Sequence, residues 1–454
     1  MLVIGLALCS STVLAADSPG AISFEKDVAP IFVENCVGCH NANDKKGKYD
    51  MSTYDAMFKS PRNRALIVPG KPQESLMLLL LTGEEEPTMP KDAELLDPAI
   101  VAKVESWIRQ GAKFDGPDRS KSLRDLVRGP AKPIATNYTT PTPASALAFH
   151  PGGALLAVAG YHEITLWDPS NGRLARRLPT NVERTYSIQF SGDGKLMAHA
   201  GGTPGEMGEV VVWNTASWTA LKELVRTDDA VFSVAFSSDG KQVASGGSDR
   251  LFRIWNCADW TLIHQVENHA DWLLAVTFSP DGTRLFTASR DKSAKIWDLT
   301  SKEPALTFPG HTDGVYGVGV SPDAKFAVSA GADKTLKFWN AAGEAKEIRS
   351  VAAHGDAVYA VLFAKSGKTV FTAGADRLLK AWNPADGSLV RQFQGHQDWV
   401  YAIALSADEK TIASGSWDGE IRVWETATGK MVTRFVAVPA LAVSQVPSAT
   451  KSAP

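Results

Sequence analysis

Hydrophobic positions follow two different spacings along this chain, and the change falls near residue 144. Before it, apolar residues recur three and four apart. Ile100, Val101, Val104, Trp107 and Ile108 keep this spacing between Asp97-Pro98 and Gly111, which predicts a helix capped by Asp97, begun on Pro98 and ended by Gly111. A shorter helix is predicted from Asp27 into Cys36, with Pro30 near its first turn, where a missing N–H costs nothing. The apolar stripe of the longer helix must be buried, and the N-terminal helix is its available neighbour.

Beyond residue 144 strict alternation takes over. Short alternating runs each end on a tryptophan: Trp167, Trp213, Trp255, Trp297, Trp339, Trp382 and Trp424. Successive spacings are 46, 42, 42, 42, 43 and 42 residues, the period of a unit made of four strands. Seven units predict an all-β, seven-bladed propeller over 145–436, preceded by a small all-α domain over 17–118. A chain of 454 residues is too long for one ordinary core and suits such a multidomain division.

The remaining segments are of another character. Residues 2–16 carry no charge and end in small residues before Asp17, which predicts a secretory signal peptide over 1–16, although no Lys or Arg precedes Asp17. The run is too short to span a bilayer comfortably, so no transmembrane anchor is expected. Residues 119–144 read as a linker: Ser120 to Arg128 suits a basic, weakly amphipathic helix with Leu123, Leu126 and Val127 on one side, and Pro133 to Pro143 is rich in Pro, Thr and Ala. A flexible tail is expected over 437–454. The apolar and charged fractions, 44% and 21%, are those of a globular protein, and a formal charge of −3 gives no electrostatic footprint for nucleic acid.

The decisive chemistry lies in Cys36-Val37-Gly38-Cys39-His40. Two thiols three positions apart on a helical turn can each bond one vinyl group of the same porphyrin, while the following imidazole serves as the axial ligand. Cys36 and Cys39 are therefore expected to form thioethers to one haem c, with His40 on the iron. A disulfide or thioredoxin-like pair needs only the two cysteines and leaves His40 unexplained. Haem of this type is attached outside the bacterial cytoplasmic membrane, in keeping with an exported, periplasmic protein. Once Cys9 leaves with the leader, only Cys257 remains, so no disulfide framework is available. For the second axial position the candidate is Met89, held in Pro87-Thr88-Met89-Pro90. Met51, Met57 and Met77 compete, but Met77 sits in a leucine run that suits a core. No other histidine precedes residue 150. The acidic Glu84-Glu85-Glu86 is either a solvated loop or a steering patch for a basic partner.

These motifs resemble the planctomycete-type cytochrome c domain: Cys36-x-x-Cys39-His40, then Val68-Pro69-Gly70-Lys-Pro-x-x-Ser75-Leu76, then Met89-Pro90, then Trp107-Ile108-x-x-Gly111-Ala112, over roughly residues 24 to 115. Lys91 stands where that family often has a second proline. The tryptophan period resembles WD40 repeats. In the last four units a histidine, a hydroxyl, an aspartate and the tryptophan recur in order: His269, Thr287, Asp291, Trp297; His311, Ser329, Asp333, Trp339; His354, Thr372, Asp376, Trp382; His396, Ser414, Asp418, Trp424. The resemblance implies that each set is a buried hydrogen-bond chain that locks its blade. The third unit keeps Ser245, Asp249 and Trp255 but has Thr227 in the histidine's region, and the first two lack the aspartate, so firmer locking is expected late in the chain. His150, His162, His199 and His264 read as structural or surface residues rather than metal ligands.

By the same resemblance Trp272, Arg290, Trp399 and Trp417 fall on the top face, where exposed Trp and Arg make binding hot spots, or else the tryptophans merely cover neighbouring blades. The chain is thus expected to be an exported, single-haem electron carrier whose propeller docks a redox partner protein. Two alternatives stay open: a propeller-based oxidoreductase with the haem as electron exit, and a non-enzymatic scaffold or haem-based sensor.

Overall fold

The computed structural model describes residues 21–40, 46–59, 64–91, 94–127, 138, 141–267, 269–301 and 304–438. The expected leader with Cys9, much of the Pro/Thr-rich linker and nearly all of the expected tail lie outside the described residues. The chain divides into two compact units, Met1–Pro130 and Ala131–Pro454.

In the first unit a wide helical turn, Phe24–Val28, runs into α1 (Ala29–Asn35), followed by α2 (Tyr54–Met57), α3 (Leu76–Thr82), α4 (Pro98–Arg109) and α5 (Leu123–Leu126). Asp97 caps α4 by accepting the N–H of Ala99 at 2.7 Å, and Gly111, at φ 95°, takes the left-handed backbone that ends the run. Trp107 is buried on the inner face of α4, with its ring centroid 5.2 Å from Phe24 and 6.0 Å from Phe32. The long helix therefore meets the N-terminal helix, as its stripe requires. The amphipathic stretch after Asp118 forms α5, whose Leu123 and Leu126 join this same core, and Leu123 N–H donates to Ser52 O at 2.8 Å.

The second unit consists of six antiparallel sheets. The first has seven strands in sequential order: β1 (Leu147–Phe149), β2 (Leu156–Ala159), β3 (Tyr161–Asp168), β4 (Arg173–Phe190), β5 (Leu196–Thr203), β6 (Met207–Asn214) and β7 (Thr219–Thr227). Strand β4 is long because it serves twice: its start pairs with β3 from Asp168↔Arg173, and its end pairs with β5 through Phe190↔Met197. It is the outer strand of one four-stranded meander and the inner strand of the next. The other five sheets are four-stranded meanders within 231–267, 273–308, 315–352, 358–393 and 400–436.

In all seven meanders the pairing of third and fourth strands slips at the tryptophan, as at Ile254/Trp255 and Val423/Trp424. Such a bulge re-aims one side chain. Apolar cores lie between neighbouring sheets, and one cluster joins Leu147, Leu156 and Trp167 of the first sheet to Ala402, Ala413 and Ile421 of the last.

Candidate haem site and interaction face

Helix α1 delivers the cysteine motif directly. Cys36 N–H closes the helix on Phe32 O at 2.9 Å, and the N–H groups of Cys39 and His40 both donate to Cys36 O, at 3.1 and 3.0 Å. One tight turn thus carries both sulfurs and the imidazole. Val37 plugs the turn into the core, while Met51 N–H donates to His40 O at 2.7 Å and pins its end. Cys36 and Cys39 are not joined by a disulfide. Burial, with the charge of Cys39 adding, pushes the Cys36 thiol up to about 12, the opposite of the lowered pKa that a thioredoxin-like nucleophile needs.

Two observations fit a haem here. Nδ1 of His40 is buried without a hydrogen-bond partner among the described residues, so that nitrogen is not committed to a protein group. Cys36, Val33, Leu80, Met89, Leu96 and Val101 are among the partly buried apolar residues on the margin of one core, the kind of side chain that packs against an apolar macrocycle. Met89 is held there by its N–H donating to Leu80 O at 3.0 Å. The competing methionines are deep: Met51, Met57 and Met77 are all buried in the core. In the acidic run, Glu85 pairs with Arg64 and Glu86 accepts the N–H of Thr88 at 3.1 Å.

The β unit contains the chains expected of three late repeats. In the fourth, Trp297 Nε1 donates to Thr287 Oγ1 at 2.9 Å, Thr287 meets His269 Nε2 at 2.8 Å, and His269 Nδ1 meets Asp291 at 2.8 Å. The same links join Trp339, Ser329, His311 and Asp333, and Trp382, Thr372, His354 and Asp376. The last repeat departs from expectation. His396 still meets Ser414 at 2.7 Å, but Asp418 is taken by Ser416 Oγ, and the carboxylate near His396 Nδ1 is Glu420, at 3.4 Å. Although desolvation raises it, hydrogen bonds from His396 and Arg422 bring the Glu420 carboxyl down to about 2.

Glu420 belongs to a pattern missed in the sequence. In the first, second and last repeats a glutamate stands four residues before the tryptophan: Glu163, Glu209 and Glu420. Glu163 is fully buried and binds Arg177 through both oxygens, at 2.6 and 2.8 Å, while Tyr138 donates to it as well. Glu209, also fully buried, takes the Asn181 amide at 3.1 Å and faces His199. His199, expected to be structural or at the surface, is therefore structural, part of the second repeat's own lock. In the third repeat Asp249 pairs with Arg253 at 2.7 Å, and Ser245 Oγ is left buried with no hydrogen-bond partner among the described residues.

Trp272 and Arg290 fall in one run of a discontinuous aromatic belt, and Trp399 and Trp417 in another. Arg290 stacks 3.9 Å over Trp272, which contacts Phe232, which contacts Tyr186. From Tyr316 the contacts run through Tyr359 to Tyr401, which stacks on Tyr359 at 4.3 Å, and on to Trp417 and Arg184. Apart from the two arginines and the named tryptophans, these residues are the second position of the innermost strands, a periodicity legible only once the strands are aligned. No group of three or more metal-binding side chains occurs among the described residues.

A thiol–thiol–imidazole turn on a small helical unit, ahead of tryptophan-marked β meanders, defines a cytochrome c-like domain joined to WD40 repeats. Residues 36–93 match the family Planctomycete cytochrome C, and 218–256, 260–298, 302–340, 345–383 and 387–425 match the WD domain, G-beta repeat. The chain thus combines a domain of the haem-c-binding type with repeats suited to protein–protein interaction. The two repeats outside the matched stretches are those locked by Glu163 and Glu209. No curated protein matches the chain. Among the described residues no helix is long and apolar enough to cross a membrane.

Proposed function

We propose that this chain is an exported c-type cytochrome that carries single electrons through one covalently bound haem, and that its β unit is a closed seven-bladed propeller serving as a docking platform for a redox partner. The turn that presents Cys36, Cys39 and His40, together with a half-buried Met89 packed against the same core, supports this reading. Cys36 and Cys39 would hold the group by thioethers, and His40 and Met89 would take the two axial positions, leaving none for a substrate. Bound haem supplies a one-electron ferric/ferrous couple. The chain's part is to fix both ligands on packed elements, the imidazole by the Met51–His40 backbone bond and the thioether by the Leu80–Met89 bond, so that little moves when charge changes. The apolar margin keeps water from that side, and a soft sulfur ligand favours the reduced state. Ring closure is supported by the cluster shared between first and last sheets and by Ala144 N–H donating to Ser416 O at 3.1 Å.

The test is a reduced-minus-oxidised spectrum of protein matured in a haem-attaching periplasm, compared with Met89→Ala. The near-infrared band linked to methionine ligation is expected in the wild type and absent from the variant. Its absence from the wild type withdraws Met89, and a protein with no covalently held pigment overturns the electron-carrier reading.

A further inference from the structure

Two positions of the aromatic belt have the same loop sequence pattern and different endings. In the fourth repeat Asp271-Trp272 opens the inner strand, and Arg290 from the facing hairpin lies over the Trp272 ring while its Nε binds Asp271 at 2.8 Å. Here a guanidinium sits between a tryptophan face and a carboxylate. In the last repeat Asp398-Trp399 opens the inner strand in the same way, but the residue equivalent to Arg290 is Trp417. Asp398 accepts the Trp399 N–H at 2.8 Å and has no ion-pair partner among the described residues. Trp399 is 42% exposed and Trp417 39%, and the Trp399 ring meets those of Tyr359, Tyr401 and Trp417 at centroid distances of 6.2, 6.3 and 6.3 Å. The other guanidinium of the belt, Arg184, lies over Trp417 and is paired with Glu183.

We infer that the Asp398–Trp399 face takes an arginine side chain from the partner protein, completing from outside the arrangement that Arg290 completes from within in the fourth repeat. The planar guanidinium stacks on the indole and donates to the carboxylate, the geometry that distinguishes arginine from lysine. This rests on the reading of the β unit as a docking platform, and it names the chemistry that the platform recognises.

The test uses the full haem-loaded protein and calorimetric titration with the capped peptide Gly-Ser-Arg-Gly-Ser and its citrulline counterpart, which has the same shape without the charge. The arginine peptide is expected to bind saturably and at least about tenfold more tightly than the citrulline one. Asp398→Asn should remove that preference. Trp417→Arg, which supplies an internal guanidinium, should abolish arginine binding while the thermal midpoint stays close to wild type. Equal binding of both peptides, no saturable binding, or arginine binding that persists in Trp417→Arg overturns the inference. Reduction of the haem by a soluble reduced electron-carrier protein separates the two readings. If the peptide fails yet Trp399→Ala still slows that reduction, the platform stands and its arginine occupant is wrong. If Trp399→Ala changes neither, the docking reading falls too.

Discussion

Nε1 of Trp213 donates to Nδ1 of His199 at 2.9 Å, so the hydrogen of the neutral imidazole lies on Nε2, which faces Glu209 at 3.4 Å. In the late repeats a hydroxyl stands between tryptophan and histidine. Here the histidine itself takes the indole, and a glutamate from the tryptophan's own strand replaces the aspartate of the hairpin. The order of donors and acceptors is kept with different residues.

Cutting this chain at its acceptor should be costly. Glu209→Ala leaves His199 and the Asn181 amide buried without an acceptor and is expected to destabilise the β unit by about 3 kcal/mol, whereas Glu209→Gln, which keeps one acceptor oxygen, should cost about 1. Denaturant unfolding followed by tryptophan fluorescence measures both. Equal losses for the two variants would show that the carboxylate is not the acceptor that matters.

Two hydroxyls at equivalent positions should behave oppositely. Ser329 links Trp339 to His311, and Ser329→Ala should cost about 2 kcal/mol by orphaning both. Ser245 is buried with no hydrogen-bond partner among the described residues, so Ser245→Ala should change stability by less than about 0.5 kcal/mol or raise it. The same denaturation assay distinguishes them, and a large loss at Ser245 would refute its orphaned state.

Acid should loosen the β unit in two stages. Burial lowers the pKa of His311 and His354 below 6.5, against the raising effect of their aspartates, so the unfolded chain takes up protons first as pH falls. Stability from these groups is complete above about pH 6.5 and declines below it. Asp376 is raised by desolvation but lowered more by His354, to about 2, so its contribution, present above its ordinary 3.8, is lost between that value and about 2. Thermal midpoints should be level from pH 8 to 7 and fall below about 6.5, then again below about 4. A midpoint unchanged from pH 7.5 to 5 would contradict the first stage.

Covalent attachment should be redundant between the two sulfurs. Cys36→Ala and Cys39→Ala alone each leave one thioether, so acid–acetone should still leave pigment on the polypeptide, whereas the double variant should lose it all. Intact mass of the three variants reads this directly.

Met51→Leu and Met77→Leu provide the complement to Met89→Ala. Both side chains are buried in the core, so each substitution should cost less than about 1.5 kcal/mol and leave the methionine-linked absorption band in place. Loss of the band in either would move the axial ligand away from Met89.

Sequence by itself determined the parts whose chemistry is local. The capped, periodic helix from Pro98, the turn with Cys36, Cys39 and His40, and the tryptophan period needed only neighbours along the chain, and the recurring His, hydroxyl, Asp and Trp placed three locks correctly. What depended on distant strands was decided by the fold. The glutamates before Trp167, Trp213 and Trp424 look like solvated strand residues until pairing buries the first two and half-covers the third, and Asp418 looks like a partner of His396 until Ser416 takes it. The burial of Met51, Met57 and Met77 beside the half-covered Met89, like the contact of Arg290 with Trp272 and its lack at Trp399, is likewise a matter of which surfaces meet. Spacing along a chain specifies which groups can share a turn or a strand face, but desolvation and pairing are properties of the assembled neighbours.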